Sequence, residues 1–395
     1  MVSVAEAEKI ILGHLFKPSI QQIELALANG KILAEEIKAD RDLPPFNRAT
    51  MDGISIAFVS YERSQRKFSI EGLQAAGQIQ QNLADPKNCI EIMTGAPLPI
   101  GTDCVVPYEN LKIENKTAAI LAESVNKRQN VHLQGSDAKQ NEVLLTIGMK
   151  LSPSEIAVLA SVGKSEVDVL RYPKAAVIST GDELVDVNQA PLLHQIRKSN
   201  SYALVSALHE LGCAAEMFHL ADNEKELREK LELILTRCEL IILSGGVSKG
   251  KFDFVPQVLE SLGVNKLFHG VSQRPGKPMW FGVSSRNFVF ALPGNPVSTF
   301  MCFHRYIRLW LSKSMGTSAK NQKAILAQDF FFAPQLTYFL QVKIENDNGK
   351  LMAYPDVGGG SGDFANLKDV DGFLELPLSQ TGFSKGTTFP LYQFR

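Results

Sequence analysis

Hydrophobic positions recur along this chain with different spacings, and each spacing sets off a different region. Val4, Ile10, Ile11, Leu15 and Phe16 fall near one face of a helix over residues 3–16, and a second short helix is expected at about 19–29. Asp42-Leu43-Pro44-Pro45-Phe46 closes that portion, because proline stops a helix and favours an extended exit. From Ile54 to about Val131 short apolar runs are broken by Gly, Asn and Pro, the pattern of a compact β region. Ser152-Pro153-Ser154-Glu155 opens another helix, with Ser152 as its cap and Pro153 in its first turn.

From Ala175 the pattern alternates strand and helix. Strands are expected at 175–180, 214–220, 240–243 and 287–292, and helices at 199–211, 224–236 and 296 to about 311. Such alternation predicts a doubly wound, mainly parallel sheet with helices on both faces. After Lys313 alternating strands and Gly-rich turns return, and Gly358-Gly359-Gly360-Ser361-Gly362 reads as a flexible loop. The expected fold class is multidomain α/β. A helical linker domain takes residues 1–43 and 136–171, an inserted β domain 44–135, the α/β domain 172–315, and a C-terminal β-barrel-like domain 316–395.

Composition narrows the function. Hydrophobic residues make up 45% and charged residues 21%, which excludes general disorder. A net charge of −1 argues against nucleic acid or a membrane surface as partner, so any anion site must be local. The N-terminus lacks the basic start and apolar core of a signal peptide, and no run is long enough to span a bilayer; a cytoplasmic location is expected. Five cysteines are scattered without a CxxC or HExxH pattern, which favours reduced, buried thiols over disulfides or zinc.

Candidate chemistry concentrates between Leu240 and Asn295. Leu-Ile-Ile-Leu-Ser-Gly-Gly-Val-Ser-Lys-Gly-Lys-Phe-Asp ends at Asp253, Arg274-Pro275-Gly276-Lys277-Pro278 follows, and Leu292-Pro293-Gly294-Asn295-Pro296 completes the set. Apolar runs that end in such turns make crevices at strand ends, where backbone N–H groups favour an anion. Arg274 and Lys277 add fixed positive charge. Thr180-Gly181-Asp182-Glu183 and Asp222 also fall at expected strand ends, where ligands of such sheets bind. A phosphorylated substrate is the inference. Taken singly, each motif has a plainer reading: Asp52-Gly53 is ordinary turn chemistry, Thr94-Gly95 suits any hairpin, Asn295-Pro296 suits any helix start, and Lys277 suits a solvated loop.

Four further segments complete a series: Pro44-Pro45-Phe46-Asn47-Arg48-Ala49-Thr50-Met51-Asp52-Gly53, Met93-Thr94-Gly95-Ala96-Pro97-Leu98-Pro99, Gly135-Ser136-Asp137, and Ser199-Asn200. In this order, with the strand-end motifs, they resemble the molybdopterin molybdenumtransferase family, the group of MoeA and the gephyrin E-domain. The resemblance covers nearly the whole chain. It implies the last step of molybdenum cofactor biosynthesis: adenylylated molybdopterin and molybdate are the substrates, AMP is released, and magnesium assists. It also implies a homodimer with an inter-subunit active site, molybdopterin adenylyltransferase and recipient molybdoenzymes as partners, and catalytic roles for Asp52, Thr94, Asp137, Glu183, Asp222, Asp253, Arg274 and Lys277. Glu183, Asp222 and Asp253 are the expected metal ligands. Thr180, Gly181, Gly245, Gly246, Ser248, Pro293, Gly294, Asn295, Pro296 and Ser298 are the expected cofactor-binding positions.

The chain departs from the family pattern in several places. Ile54 stands where tyrosine is common, Arg274 where lysine is common, and Gln341 where relatives often carry arginine, which puts a molybdate contact from the C-terminal domain in question. Two other functions compete. The related molybdopterin adenylyltransferase would share the sheet domain, but Gly245-Gly246-Val247-Ser248 replaces its Gly-Gly-Thr-Gly loop. A gephyrin-like scaffold would need no retained site charges.

Overall fold

Strand Ala175–Thr180 is buried along its whole length, and its alternate positions feed two separate cores. Ala175, Val177, Leu240, Ile242, Phe290 and Leu292 enter one core, with side chains of the helices Val4–Leu12, Asn200–Glu210 and Pro296–Cys302. Ala176, Ile178, Ile241, Leu243, Val289 and Ala291 enter the other, with side chains of Glu224–Arg237 and Val255–Ser261. Successive strand residues point to opposite faces, so continuous apolar runs are what a sheet covered on both sides requires. The computed structural model describes residues 1–221, 223–247, 254–317 and 322–395.

The sheet has six strands in the order Ala215–Leu220, Ala175–Thr180, Leu240–Ser244, Phe288–Leu292, Trp280–Val283, Asn265–His269. The first four are parallel and the last two antiparallel to their neighbours. The antiparallel pair had no distinct signal in the alternation of strand and helix. Pro296 begins a continuous helical run in which Pro296–Cys302 and Arg308–Ser314 flank a π-helical segment, Phe303–Ile307.

The chain separates into two compact units, one of Met1–Gln22, Gly30–Ile32 and Asp168–Arg395, the other of Ile23–Asn29 and Leu33–Val167. The first unit also contains a C-terminal sheet. There Thr337–Asp347, Lys350–Pro355, Gln322–Leu326, Thr388–Gln393 and Gly372–Leu376 pair in sequence, and the last pairs back on the first, closing a small barrel around Leu326, Leu340, Val342 and Leu374. The second unit is built on a six-stranded sheet ordered Cys104–Pro107, Gly53–Ile56, Cys89–Ile92, Lys67–Gln74, Thr117–Ile120, Leu111–Glu114.

Helix Pro153–Ser161 starts as expected: Ser152 and Glu155 form a reciprocal capping box, with Pro153 in the first turn. The helix expected at 19–29 is absent. Residues Ile20–Glu24 form a strand paired with Glu166–Leu170, followed by the single 3-10 turn Leu25–Leu27. Strand pairing overrode a weak helical signal carried by four apolar positions. All five cysteines are free and buried. Among the described residues, no helix is long and apolar enough to cross a membrane.

Candidate functional site

Register places the carboxyl ends of the strands side by side, with Thr180 opposite Leu220, Ser179 opposite Ser244, and Ser244 opposite Leu292. The chain leaves Thr180 toward one edge of the sheet and Ser244 toward the other. The crevice where ligands of open α/β sheets bind therefore opens between these two strands. Gly245 lines it: its φ is +101°, and a Cβ there would lie 2.8 Å from Thr180 Oγ1 and 2.9 Å from Thr180 O. No residue but glycine fits this approach. Thr180 Oγ1 is buried and has no hydrogen-bond partner among the described residues, an orphan that invites a ligand.

Asn200 stitches the neighbouring loops together. Its side-chain amide donates to Ser244 Oγ at 2.8 Å and to the Gly294 carbonyl at 2.7 Å. Gly294 and Asn295 are exposed, Pro293 and Ser298 are buried, and Pro296 starts its helix. Asn295 does not cap that helix through its side chain; its amide donates instead to Ser361 Oγ of the glycine-rich loop at 2.9 Å. A cavity of about 60 Å³ sits beside Asn200 and Thr299. Small-molecule sites occupy several hundred Å³, so this cavity is too small for a nucleotide-sized substrate.

The turn carrying Arg274 and Lys277 rises from the same edge. His269 pairs with Trp280 and Trp280 with Ala291, so the connection between them lies at the end of the sheet that Leu292 reaches. His269 Nε2 bonds the Val247 carbonyl at 3.0 Å, joining this connection to the Gly245-Gly246 loop. Both cationic side chains are exposed. The Arg274 guanidinium lies 5.9 Å from the Phe332 ring centroid, and Lys277 has no ion pair among the described residues. Beneath them Gln273 is fully buried, its amide donating to the Gly276 carbonyl at 3.2 Å and its oxygen accepting from Tyr306 OH at 2.5 Å.

Of the expected metal ligands, only Glu183 lies among the described residues. It is exposed and folds its carboxylate back over the buried Gly181. Asp222, Asp253 and Ser248 lie outside the described residues, as do Lys249 and Lys251. Among the described residues no three His, Cys, Asp or Glu side chains come together as a metal site. Hard carboxylate oxygens suit magnesium, but one carboxylate alone does not make its site.

The second unit carries the other candidates. Asp52 Oδ1 accepts from both the backbone N–H and the hydroxyl of Thr94, each at 2.6 Å. These two bonds, the hydroxyl first, hold the Asp52 carboxyl below its ordinary value. Asp137 Oδ1 bonds His132 Nε2 at 2.7 Å, and His132 Nδ1 lies 3.2 Å from an Arg48 nitrogen. An arginine always donates, so His132 accepts at Nδ1 and donates from Nε2 to the carboxylate. Arg48 and Asn200 stood in the quoted motif segments without an assigned role, and His132 and Gln273 were not singled out from sequence. Their partners stand far away in the chain, and only folding reveals them.

Similarity to known proteins follows the same plan. Family models match residues 2–163 (MoeA N-terminal region, domain I and II), 176–313 (probable molybdopterin binding domain) and 323–394 (MoeA C-terminal region, domain IV). The chain is 39% identical over 401 residues to a molybdopterin molybdenumtransferase from Synechocystis sp., covering 99% of this chain and 100% of that one. It is 31% identical over 393 residues to one from Staphylococcus epidermidis, covering 98% and 94%. A solved molybdopterin biosynthesis MoeA protein from Pyrococcus horikoshii superposes with a TM-score of 0.84 at 30% identity, covering 100% of this chain and 99% of that one.

Proposed function

Because the chain belongs to the molybdopterin molybdenumtransferase family, we propose that it inserts molybdenum from molybdate into adenylylated molybdopterin and releases AMP. The observation that carries this reading is the convergence of three loops on one sheet edge, with the orphan hydroxyl of Thr180 and the exposed charges of Arg274 and Lys277 among them. Both substrates are anions with tetrahedral oxyanion groups, and this edge offers what such groups need.

In this reading Thr180, Gly181, Gly245, Gly246, Pro293, Gly294, Asn295, Pro296 and Ser298 cradle the pterin phosphate and the adenylate, with Ser248 completing the loop. Arg274 offers planar paired donors and Lys277 a compact charge to the oxygens of molybdate and the phosphoanhydride. Asp52, Thr94 and Asp137 act at the same centre from the partner subunit of a homodimer. The Thr94 bonds keep Asp52 ionised, so it can orient a donor on the substrate. Glu183, Asp222 and Asp253 are the carboxylates we assign to magnesium, which when bound would offset charge on the phosphoanhydride. Molybdopterin adenylyltransferase supplies the substrate and molybdoenzymes receive the product, with all of these partners in the cytoplasm.

The product identifies the reaction. After incubation with adenylylated molybdopterin and molybdate, the mixture should activate a metal-free molybdoenzyme. A parallel incubation with molybdopterin and ATP that releases pyrophosphate, while the first mixture stays inactive, would assign the chain to adenylylation, and activity in neither would favour a scaffold.

A further inference from the structure

Gln273 ties the 274–277 turn to the core through hydrogen bonds at both ends of its side-chain amide, one reaching the turn at Gly276 and the other reaching Tyr306. It is fully buried, where an unpaired amide is costly, so its bonds constrain it strongly. Its nitrogen holds the Gly276 carbonyl and lies 3.5 Å from Cys302 Sγ. Its oxygen takes the Tyr306 hydroxyl. Tyr306 belongs to the π-helical segment Phe303–Ile307, an irregularity that is frequent at functional sites.

The turn is held from two further sides. Gly276 has φ +89°, and a Cβ there would lie 2.6 Å from Cys302 Sγ and 2.7 Å from Gln273 Nε2, so the backbone rests directly on this network. Gln273–Arg274 also pairs in parallel with Thr337–Asp347 of the C-terminal barrel, with Thr337 N donating to the Ser272 carbonyl at 3.1 Å. The exposed Lys277 is thus carried on a turn whose Gly276 carbonyl is held by the buried Gln273 amide, which is itself held by the Tyr306 hydroxyl.

We propose that Gln273 and Tyr306 are positioning residues, which fix the 274–277 turn from below and so set where Lys277 meets the oxyanion. The proposal rests on the reading of Lys277 as an anion-binding residue. A displacement of about 1 Å in a catalytic group can cost roughly 100-fold in rate. Removing the Gln273 amide or the Tyr306 hydroxyl therefore acts on turnover through Lys277 and not through the crevice.

A double-mutant cycle tests it, reading AMP release from adenylylated molybdopterin against molybdate concentration, together with melting temperature. Gln273→Leu and Tyr306→Phe are made in the parent and in a Lys277→Ala background. The expected result is a loss of roughly tenfold or more in kcat/KM for molybdate in the parent background and less than twofold further loss on Lys277→Ala. Any fall in melting temperature should be the same in both backgrounds. An equal loss of kcat/KM in both backgrounds, or no loss in either, overturns the proposal, since a structural role alone multiplies through. Should Gln273→Leu fail to fold, Tyr306→Phe decides, because it removes one hydroxyl only. Parental turnover by Lys277→Ala itself would instead overturn the reading of Lys277, and so separates the two failures.

Discussion

Lys277 and Thr180 differ in what their removal should do, because one is exposed and the other buried. Lys277→Ala should melt within about 0.5 kcal/mol of the parent yet lose roughly 30-fold or more in AMP release, as for other preorganised charge donors. A large fall in melting temperature would make the lysine structural. Thr180→Val keeps the shape but removes a hydroxyl that has no partner among the described residues, so it should melt at or above the parent temperature and raise KM for adenylylated molybdopterin about tenfold. An unchanged KM would remove Thr180 from the cradle. Asp52 has a folded pKa below its unfolded one, so its contribution to stability is full above the ordinary carboxylate range and is lost as pH falls through the folded value. Thr94→Val keeps the N–H bond and deletes the larger one, and Asp52 should then titrate at higher pH by carboxyl-resolved NMR. No upward movement would contradict the account. At this scale the placement of Thr180 and Lys277 in turns at strand ends was legible, because turn chemistry marks such positions. Gln273 and His132 were not, since a buried amide or a bridging imidazole is defined by partners that sequence spacing does not reveal.

Elements were legible where two signals agreed. Ser152-Pro153 with Glu155 marked a helix start by both capping and proline, and the helix is there. Ser152→Ala should cost about 1 kcal/mol of stability in that unit and leave AMP release as in the parent, so a matching fall in turnover would argue that the two are coupled. The 19–29 segment was misread because Ile20, Ile23 and Leu27 fit helical spacing while Ile23, Leu25 and Leu27 alternate as in a strand, and pairing with Glu166–Leu170 decided it. The antiparallel strands Trp280–Val283 and Asn265–His269 were hidden for a related reason. They flank the 274–277 turn, and their short apolar runs carry no helix between them. Their direction is nonetheless what brings Arg274 and Lys277 to the crevice edge.

On the scale of the molecule, the succession of β, alternating and β regions could be read from hydrophobic spacing, and the closure of the C-terminal strands into a barrel agrees with the expected domain type. Gln341 shows what a family comparison alone leaves unsettled. It is buried and its amide donates to the Val357 carbonyl at 3.2 Å, so it supports the loop that carries Ser361. A site shared between subunits makes a separate prediction. Mixing Asp52→Ala with Lys277→Ala subunits should restore part of the activity, because one of the two sites in a mixed dimer would be intact. No restoration in a preparation proven to contain mixed dimers would place both residues in a single subunit's site.

The central claim is that the strand-end crevice consumes an adenylylated pterin only when it can load metal. AMP release by the purified chain from adenylylated molybdopterin, measured with and without molybdate and magnesium, tests it most directly. The account predicts AMP in step with molybdenum bound to the pterin when both are supplied, and little without molybdate. AMP release at the same rate without molybdate, or none with it, would contradict it.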